Sequence, residues 1–138
     1  MRRRTAPALL LLALVLGGCV YYPMIPDIGG IRIRPRNARA VPQPLGLAVY
    51  MDVDSSGKYG DTIVGATSEI AGSAVLVTPR GEPAGRLKIP GETVVRLYPE
   101  GPHIVLSDLA KPVTPGEVVL VTLLFEKIGR IGVPTRVE

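Results

Sequence analysis

The sequence predicts an all-β domain, a β-sandwich with Greek-key connections, preceded by an export and anchoring segment. Three observations predict it. Apolar residues recur with period two or in short unbroken runs, the pattern of strands rather than helices. Thirteen of the 14 Pro lie beyond Pro7, so almost no segment is long enough for a packed helix. Clusters of Pro, Gly, Asp and Ser cut the apolar segments at short intervals. A hydrophobic content of 46% separates the chain from disordered sequences, despite 16 Gly and 14 Pro among its 138 residues.

Residues 1–18 read as a lipoprotein signal peptide. Arg2, Arg3 and Arg4 form a positive start, and Ala8 to Leu16 form an uncharged apolar core. That core is too short to cross a bilayer, which takes roughly 20 residues. Leu16-Gly17-Gly18-Cys19 then resembles a bacterial lipobox, in which the Cys thiol is alkylated by diacylglycerol and becomes the new N-terminus. Cys19 is the only Cys, so an internal disulfide is impossible. The expectation is an extracytoplasmic lipoprotein, in the periplasm or on the outer cell surface. It is held at the membrane by acyl chains that contribute about 0.8 kcal/mol per buried CH₂. Residues 19–30 read as the tether: Pro23, Pro26 and Gly29-Gly30 interrupt regular structure, and Tyr21 and Tyr22 suit the headgroup level of a bilayer.

The body, 31–138, reads as eight or nine short strands. Ile31-Arg32-Ile33-Arg34 alternates. Leu47, Val49, Met51 and Val53 share one face of the next strand, with a turn at Asp54-Ser55-Ser56-Gly57. Thr62–Ala66 and Ala74–Val77 follow, then a loop over Thr78–Pro83 and short strands at Arg86–Ile89, Thr93–Leu97 and His103–Leu106. Pro115-Gly116 forms a turn. Glu117–Glu126 is apolar on both faces, as expected of a central strand buried between layers. Ile131–Val137 closes the domain, Pro134 marking an edge.

Charge excludes one class of function. Arg2, Arg3 and Arg4 supply three of the 16 basic residues and all 12 acids lie later, so the chain beyond them is nearly neutral and no nucleic-acid footprint is expected. The one basic cluster, Arg32, Arg34, Arg36 and Arg39, reads as a solvated strand face; attraction to anionic headgroups beside the tether would contribute about 1 kcal/mol per Arg.

Catalytic constellations are missing, and no enzymatic activity is expected. Any hydrolytic triad would have to use His103, the single His, with Ser107 and Asp108; no nucleophile elbow frames them, and residues 103 and 107 of a strand lie about 13 Å apart. Asp52-Val53-Asp54-Ser55-Ser56-Gly57 is similar to the opening of a calcium loop, but the position that should carry the bidentate acid is Ile63, which favours a hairpin turn. A soft-metal site draws on Met and His. Met24 lies in the tether, and Met51, on the Leu47/Val53 face, reads first as core.

The order of several local runs resembles the periplasmic copper chaperones called PCu(A)C. Tyr50-Met51-Asp52-Val53 before the turn at Ser55-Ser56-Gly57-Lys58 is similar to that family's strand and polar hairpin. So are Asp61-Thr62-Ile63-Val64-Gly65-Ala66-Thr67-Ser68 with Ala71-Gly72, Leu87-Lys88-Ile89-Pro90, and Gly101-Pro102-His103-Ile104-Val105-Leu106. Leu109-Ala110-Lys111-Pro112, Gly116 and Val121–Lys127 complete the match, with a final run like the family's last strand. The resemblance implies a cupredoxin-like fold, Cu(I) bound through two His and two Met, and delivery toward the CuA centre of cytochrome c oxidase through an oxidase assembly protein. It maps one family His onto His103. The partner Met falls at Val105, the earlier His at Val77 and the other Met near Leu87. Two readings stay open. One is a copper-handling lipoprotein using His103, and Met51 or a partner's donors. The other is a family member without a metal site, acting as an envelope protein-binding or scaffolding module.

Overall fold

The computed structural model describes residues 27–138. The signal segment 1–18, Cys19, Tyr21, Tyr22 and Met24 lie outside the described residues. Ten strands make up the described chain: β1 (Asp27–Ile28), β2 (Ile31–Gln43), β3 (Gly46–Ser55), β4 (Asp61–Ser68), β5 (Ala71–Val77), β6 (Leu87–Ile89), β7 (Thr93–Leu97), β8 (His103–Leu109), β9 (Val118–Phe125) and β10 (Gly129–Val137). The described residues contain no helix.

The strands form one curled sheet in the order β5-β8-β3-β2-β10-β9-β4-β6, with β1 added to β2 and β7 to β3. β10 returns parallel to β2 through Arg136↔Arg39 and Val137↔Ala40, while the other pairings are antiparallel. β4 and β5 follow one another in sequence yet sit toward opposite ends of the strand order. The turn at Glu69-Ile70 therefore draws the sheet ends together, and the Ala110 N–H donates to the Ile70 carbonyl at 2.7 Å. This is the cupredoxin-like Greek-key arrangement that the sequence implies.

One face of each long strand fills the interior. Ile33, Leu47, Val49, Val53, Ile63, Ile104, Leu106, Val121 and Leu123 are almost wholly buried, and Met51 lies among them at 2% exposure. Each such side chain contributes about 1.5–3 kcal/mol by leaving water.

The structure extends or corrects the sequence reading at several points. β2 runs to Gln43 through Pro35 and Pro42, and absorbs an irregularity between Arg36 and Arg39 where Asn37 adopts φ 57°. The Gly29-Gly30 turn of the expected tether is folded onto the domain, because β1 pairs with β2. β3 is shielded on both faces: Ala48 and Tyr50, opposite Leu47 and Met51, are only 3% and 8% exposed. β9 is central, between β10 and β4, but it is not buried on both faces: Val118 and Leu120 point to solvent at 61% and 44% exposure. No second layer covers that side, so apolar composition overstated its burial. Pro134 faces Leu120 on β9; the other side of β10 meets β2 only at Arg136 and Val137, which leaves the proline on a largely open edge.

Asp61 fixes one end of the barrel. Its carboxylate is 4% exposed and accepts from the backbone N–H groups of Thr62, Lys127 and Ile128 at 2.7–3.1 Å. It joins the start of β4 to the β9–β10 turn.

Candidate functional site: the His103 cleft

β3 carries Tyr50 outward on the face opposite Met51, because successive strand residues alternate. β8 pairs with β3 through Val49↔Ile104 and Ala48↔Val105, which sets His103 beside Tyr50. The two rings lie 5.6 Å apart, tilted by 59°. Arg39, opposite Tyr50 on β2, places its guanidinium 5.1 Å from the Tyr50 ring and pairs with Glu138 at 3.4 Å. Cation, phenol and imidazole thus stand in a row across three adjacent strands.

The turn before β8 orients the imidazole. Gly101 N–H donates to the Tyr98 carbonyl at 2.9 Å, and Tyr98 N–H to the Pro102 carbonyl at 3.1 Å. A Cβ on Gly101 would stand 2.2 Å from the Tyr98 ring, so only glycine fits this turn. His103 Nδ1 lies 3.0 Å from the Gly101 carbonyl oxygen. Only Nδ1–H can make that bond, which assigns the lone pair of the neutral ring to Nε2.

His103 opens onto a cleft of about 410 Å³ lined with Pro44, Leu45, Tyr50, Pro99 and Val105. Leu45, at the tip of the β2–β3 hairpin, is 87% exposed. The lining is apolar apart from the imidazole, the phenol and Gln43.

The positions singled out by the sequence are only partly assembled. Val77 is the direct β5 partner of His103 and is 4% exposed; Val105 follows two residues along β8 on the same face. Leu87 sits on β6, paired with Ile63 of β4, and does not line the cleft. Met51 is in the core, on the other side of β3 from Tyr50. No group of three or more His, Cys, Asp or Glu residues able to hold a metal occurs among the described residues. The donors present at the cleft therefore amount to one imidazole nitrogen and do not form a closed soft-metal cage.

The other candidates resolve into structural roles. Ser107 pairs with Gly46 and Ser73, while Asp108 turns its carboxylate into the space above Gly72, where a Cβ would meet Oδ2 at 2.3 Å. Neither joins His103. Asp52 is held by Asn37 Nδ2 at 3.0 Å and Arg96 Nε at 3.2 Å, and Asp54 by Arg36 at 3.5 Å, which leaves no open calcium loop. Arg32 pairs with Asp27 and Arg39 with Glu138, so most of the Arg32–Arg39 cluster is neutralised. Tyr50 escaped sequence reading as a site residue; its signal was the alternation that put it on the face opposite Leu47 and Met51.

The fold matches the structure described as "Copper-bound PCuAC domain from PmoF2" with a TM-score of 0.68 and 25% identity, covering 80% of this chain and 94% of that one. It matches "Apo PCuAC domain from PmoF1" with a TM-score of 0.67 and 25% identity, covering 81% and 96%. A third match, "Solution structure of CuI-DR1885 from Deinococcus Radiodurans", has a TM-score of 0.64 and 26% identity over 73% of this chain and 74% of that one. The domain is of the PCuAC type. More narrowly, residues 31–137 match the family model described as "Putative lipoprotein LpqE-like", and the chain belongs to this LpqE-like family. It is also 36% identical over 86 residues to "Putative lipoprotein Lxx21020" of Leifsonia xyli subsp. xyli (strain CTCB07), covering 56% of this chain. The match spans about half, 52%, of that relative's length.

Proposed function

We propose that the protein is a non-enzymatic, extracytoplasmic lipoprotein, anchored through Cys19 after removal of residues 1–18 and carried on the tether 19–30. In this reading the His103 cleft receives a protein segment and is not a self-sufficient copper site. One observation carries it: Val77 and Val105 flank His103 on its own face, where the PCuAC resemblance places a His and a Met. Apolar groups there keep the strand packing and supply no donor.

A second reading has its own support. His103 is half-buried, with Nδ1 engaged by the Gly101 carbonyl and Nε2 left as an acceptor. The similar domain of PmoF2 is described as copper-bound. In this reading the protein relays Cu(I) toward oxidase assembly, His103 giving one donor and a partner protein completing the coordination.

A Cu(I) competition titration of residues 20–138 under reducing conditions, with His103→Ala alongside, separates the two. The docking reading expects no binding tighter than micromolar and no change in the variant. Tighter binding that is lost in His103→Ala establishes the relay reading in its place.

A further inference from the structure

At the other end of β3 a second cleft, also about 410 Å³, opens between three turns. Lys58–Asp61 follows β3, Lys88–Gly91 spans the end of β6, and Glu126-Lys127 follows β9. Lys58, Lys88 and Lys127 line it. All three are exposed, and among the described residues none forms an ion pair. The carboxylates that share the lining are already engaged. Asp61 is taken by three backbone N–H groups, and Glu126 by Arg86 at 2.8 Å. The exposed Glu92 follows Gly91 just beyond the lining. With Glu126 offset by Arg86, three lysines stand against the one buried carboxylate of Asp61, so the cleft carries net positive charge.

Its walls are fixed by backbone contact. A Cβ on Gly60 would lie 1.9 Å from the Ile89 carbonyl oxygen, and one on Gly91 would lie 2.4 Å from that of Lys58. Glu92 N–H donates to the Gly57 carbonyl at 3.0 Å. The lysines therefore spring from a rigid frame, although they are far apart in sequence.

The N-terminal segment enters at this same end. Tyr59 N–H donates to the Gly30 carbonyl at 3.1 Å, and Gly30 lies against the Tyr59 ring. Tyr59 and Ile28 are 54% and 50% exposed, and Lys58 Nζ stands 5.5 Å from the Tyr59 ring centre. Lysines beside an exposed aromatic and an exposed aliphatic side chain suit a bilayer interface. From Cys19 to Asp27 the chain can span at most about 28 Å. A lipid on Cys19 holds this end of the barrel within that distance of the membrane.

We propose that this lysine cleft binds the phosphate of anionic lipid headgroups and seats this end of the domain on the membrane. The proposal rests on the reading of Cys19 as the lipid anchor. Its test uses a chain without Cys19, so that the two fail separately. Residues 20–138 keep every core residue, all of which lie between Ile31 and Val137. This chain is floated with phosphatidylcholine vesicles with and without phosphatidylglycerol. Binding is expected only with phosphatidylglycerol. It should weaken on the order of a hundredfold in Lys58→Gln/Lys88→Gln/Lys127→Gln, with an unchanged melting temperature, and stay as it was in Arg80→Gln/Arg136→Gln, Arg136 lying at the far end of β10 opposite Val118. Three outcomes overturn the proposal: no flotation with phosphatidylglycerol, equal flotation of wild type and the lysine variant, or equal loss in the arginine variant. Inorganic phosphate shifting the lysine NMR signals without vesicle binding also overturns it, in favour of a free anion. Anchoring is read separately, from loss of metabolic lipid labelling in full-length Cys19→Ser.

Discussion

The two clefts at either end of β3 are built in different ways. Around Lys58, Lys88 and Lys127 the walls are largely main chain: Gly57, Gly60 and Gly91 each lie against a neighbouring carbonyl, and Asp61 ties the start of β4 to the β9–β10 turn. Around His103 the lining is mostly side chains standing on β3, β8 and the turns before them; Gly101 packs against the Tyr98 ring, and main chain meets main chain at Gly46 beside the Leu106 carbonyl. The difference shows where such a fold can change its chemistry. A backbone-built end tolerates little, because any side chain added at these glycines would run into a main-chain carbonyl. A side-chain-built end can exchange one side chain for another while its strand pairs stay in place.

The largest expected effect breaks the backbone-built end. Asp61→Ala leaves the N–H groups of Thr62, Lys127 and Ile128 without their acceptor in a site that is 4% exposed. Buried unsatisfied donors cost about 1–3 kcal/mol each, so a loss of about 3 kcal/mol or more is expected, seen by calorimetry as a fall on the order of 10 °C in melting temperature. Asp61→Asn retains one carbonyl acceptor and should fall between the two. A melting temperature within a degree of wild type would show that the turns are held without the carboxylate.

Next comes a gain at the side-chain-built end. Val77 is the cross-strand partner of His103, and Val105 follows it along β8 on the same face. Val77→His with Val105→Met should place two further donors beside Nε2 and raise Cu(I) affinity by on the order of tenfold or more per donor. Chelator competition measures it, and the double variant should still melt cooperatively. Unchanged affinity would mean that the cleft has lost more than donors, the missing piece being the position at Leu87, which β6 holds beside β4 instead.

These sites differ in how much of them the sequence reveals. Period two is a local property, so the strands at 47–53, 62–66 and 103–106 were legible, as was Met51 in the core beside Leu47 and Val53. The exposure of Val118 and Leu120 was not, because an apolar strand reads the same whether or not a second layer covers it. The sequence singled out His103 as its one His, whereas the contact of that ring with Tyr50 depends on a register between β3 and β8 that no local run encodes. Asp61 looked like one letter of a motif. Its partners Lys127 and Ile128 lie 66 and 67 residues away, so the bonds that explain it appear only in three dimensions. The three lysines have the same property, each being unremarkable in its own segment.

The smallest expected effect sets a second carboxylate against Asp61. Glu117 is half-buried at the surface and is held by a side chain as well as by main chain: Lys111 Nζ donates to Oε2, and the Thr114 N–H donates to Oε1 at 3.1 Å. The Lys111 hydrogen bond first, and the Thr114 amide after it, lower its pKa below the usual 4.5. A folded value below the unfolded one means that the ionised form stabilises the fold. That contribution is complete above pH 4.5 and fades as the pH falls below it, through the folded value. Glu117→Gln should therefore melt slightly below wild type at neutral pH, by the small margin usual for solvent-screened pairs, and the two curves should converge in acid. A gap that persists at low pH would assign the effect to the Thr114 turn rather than to charge. Glu117 would then belong, like Asp61, with the carboxylates whose role is to hold the backbone.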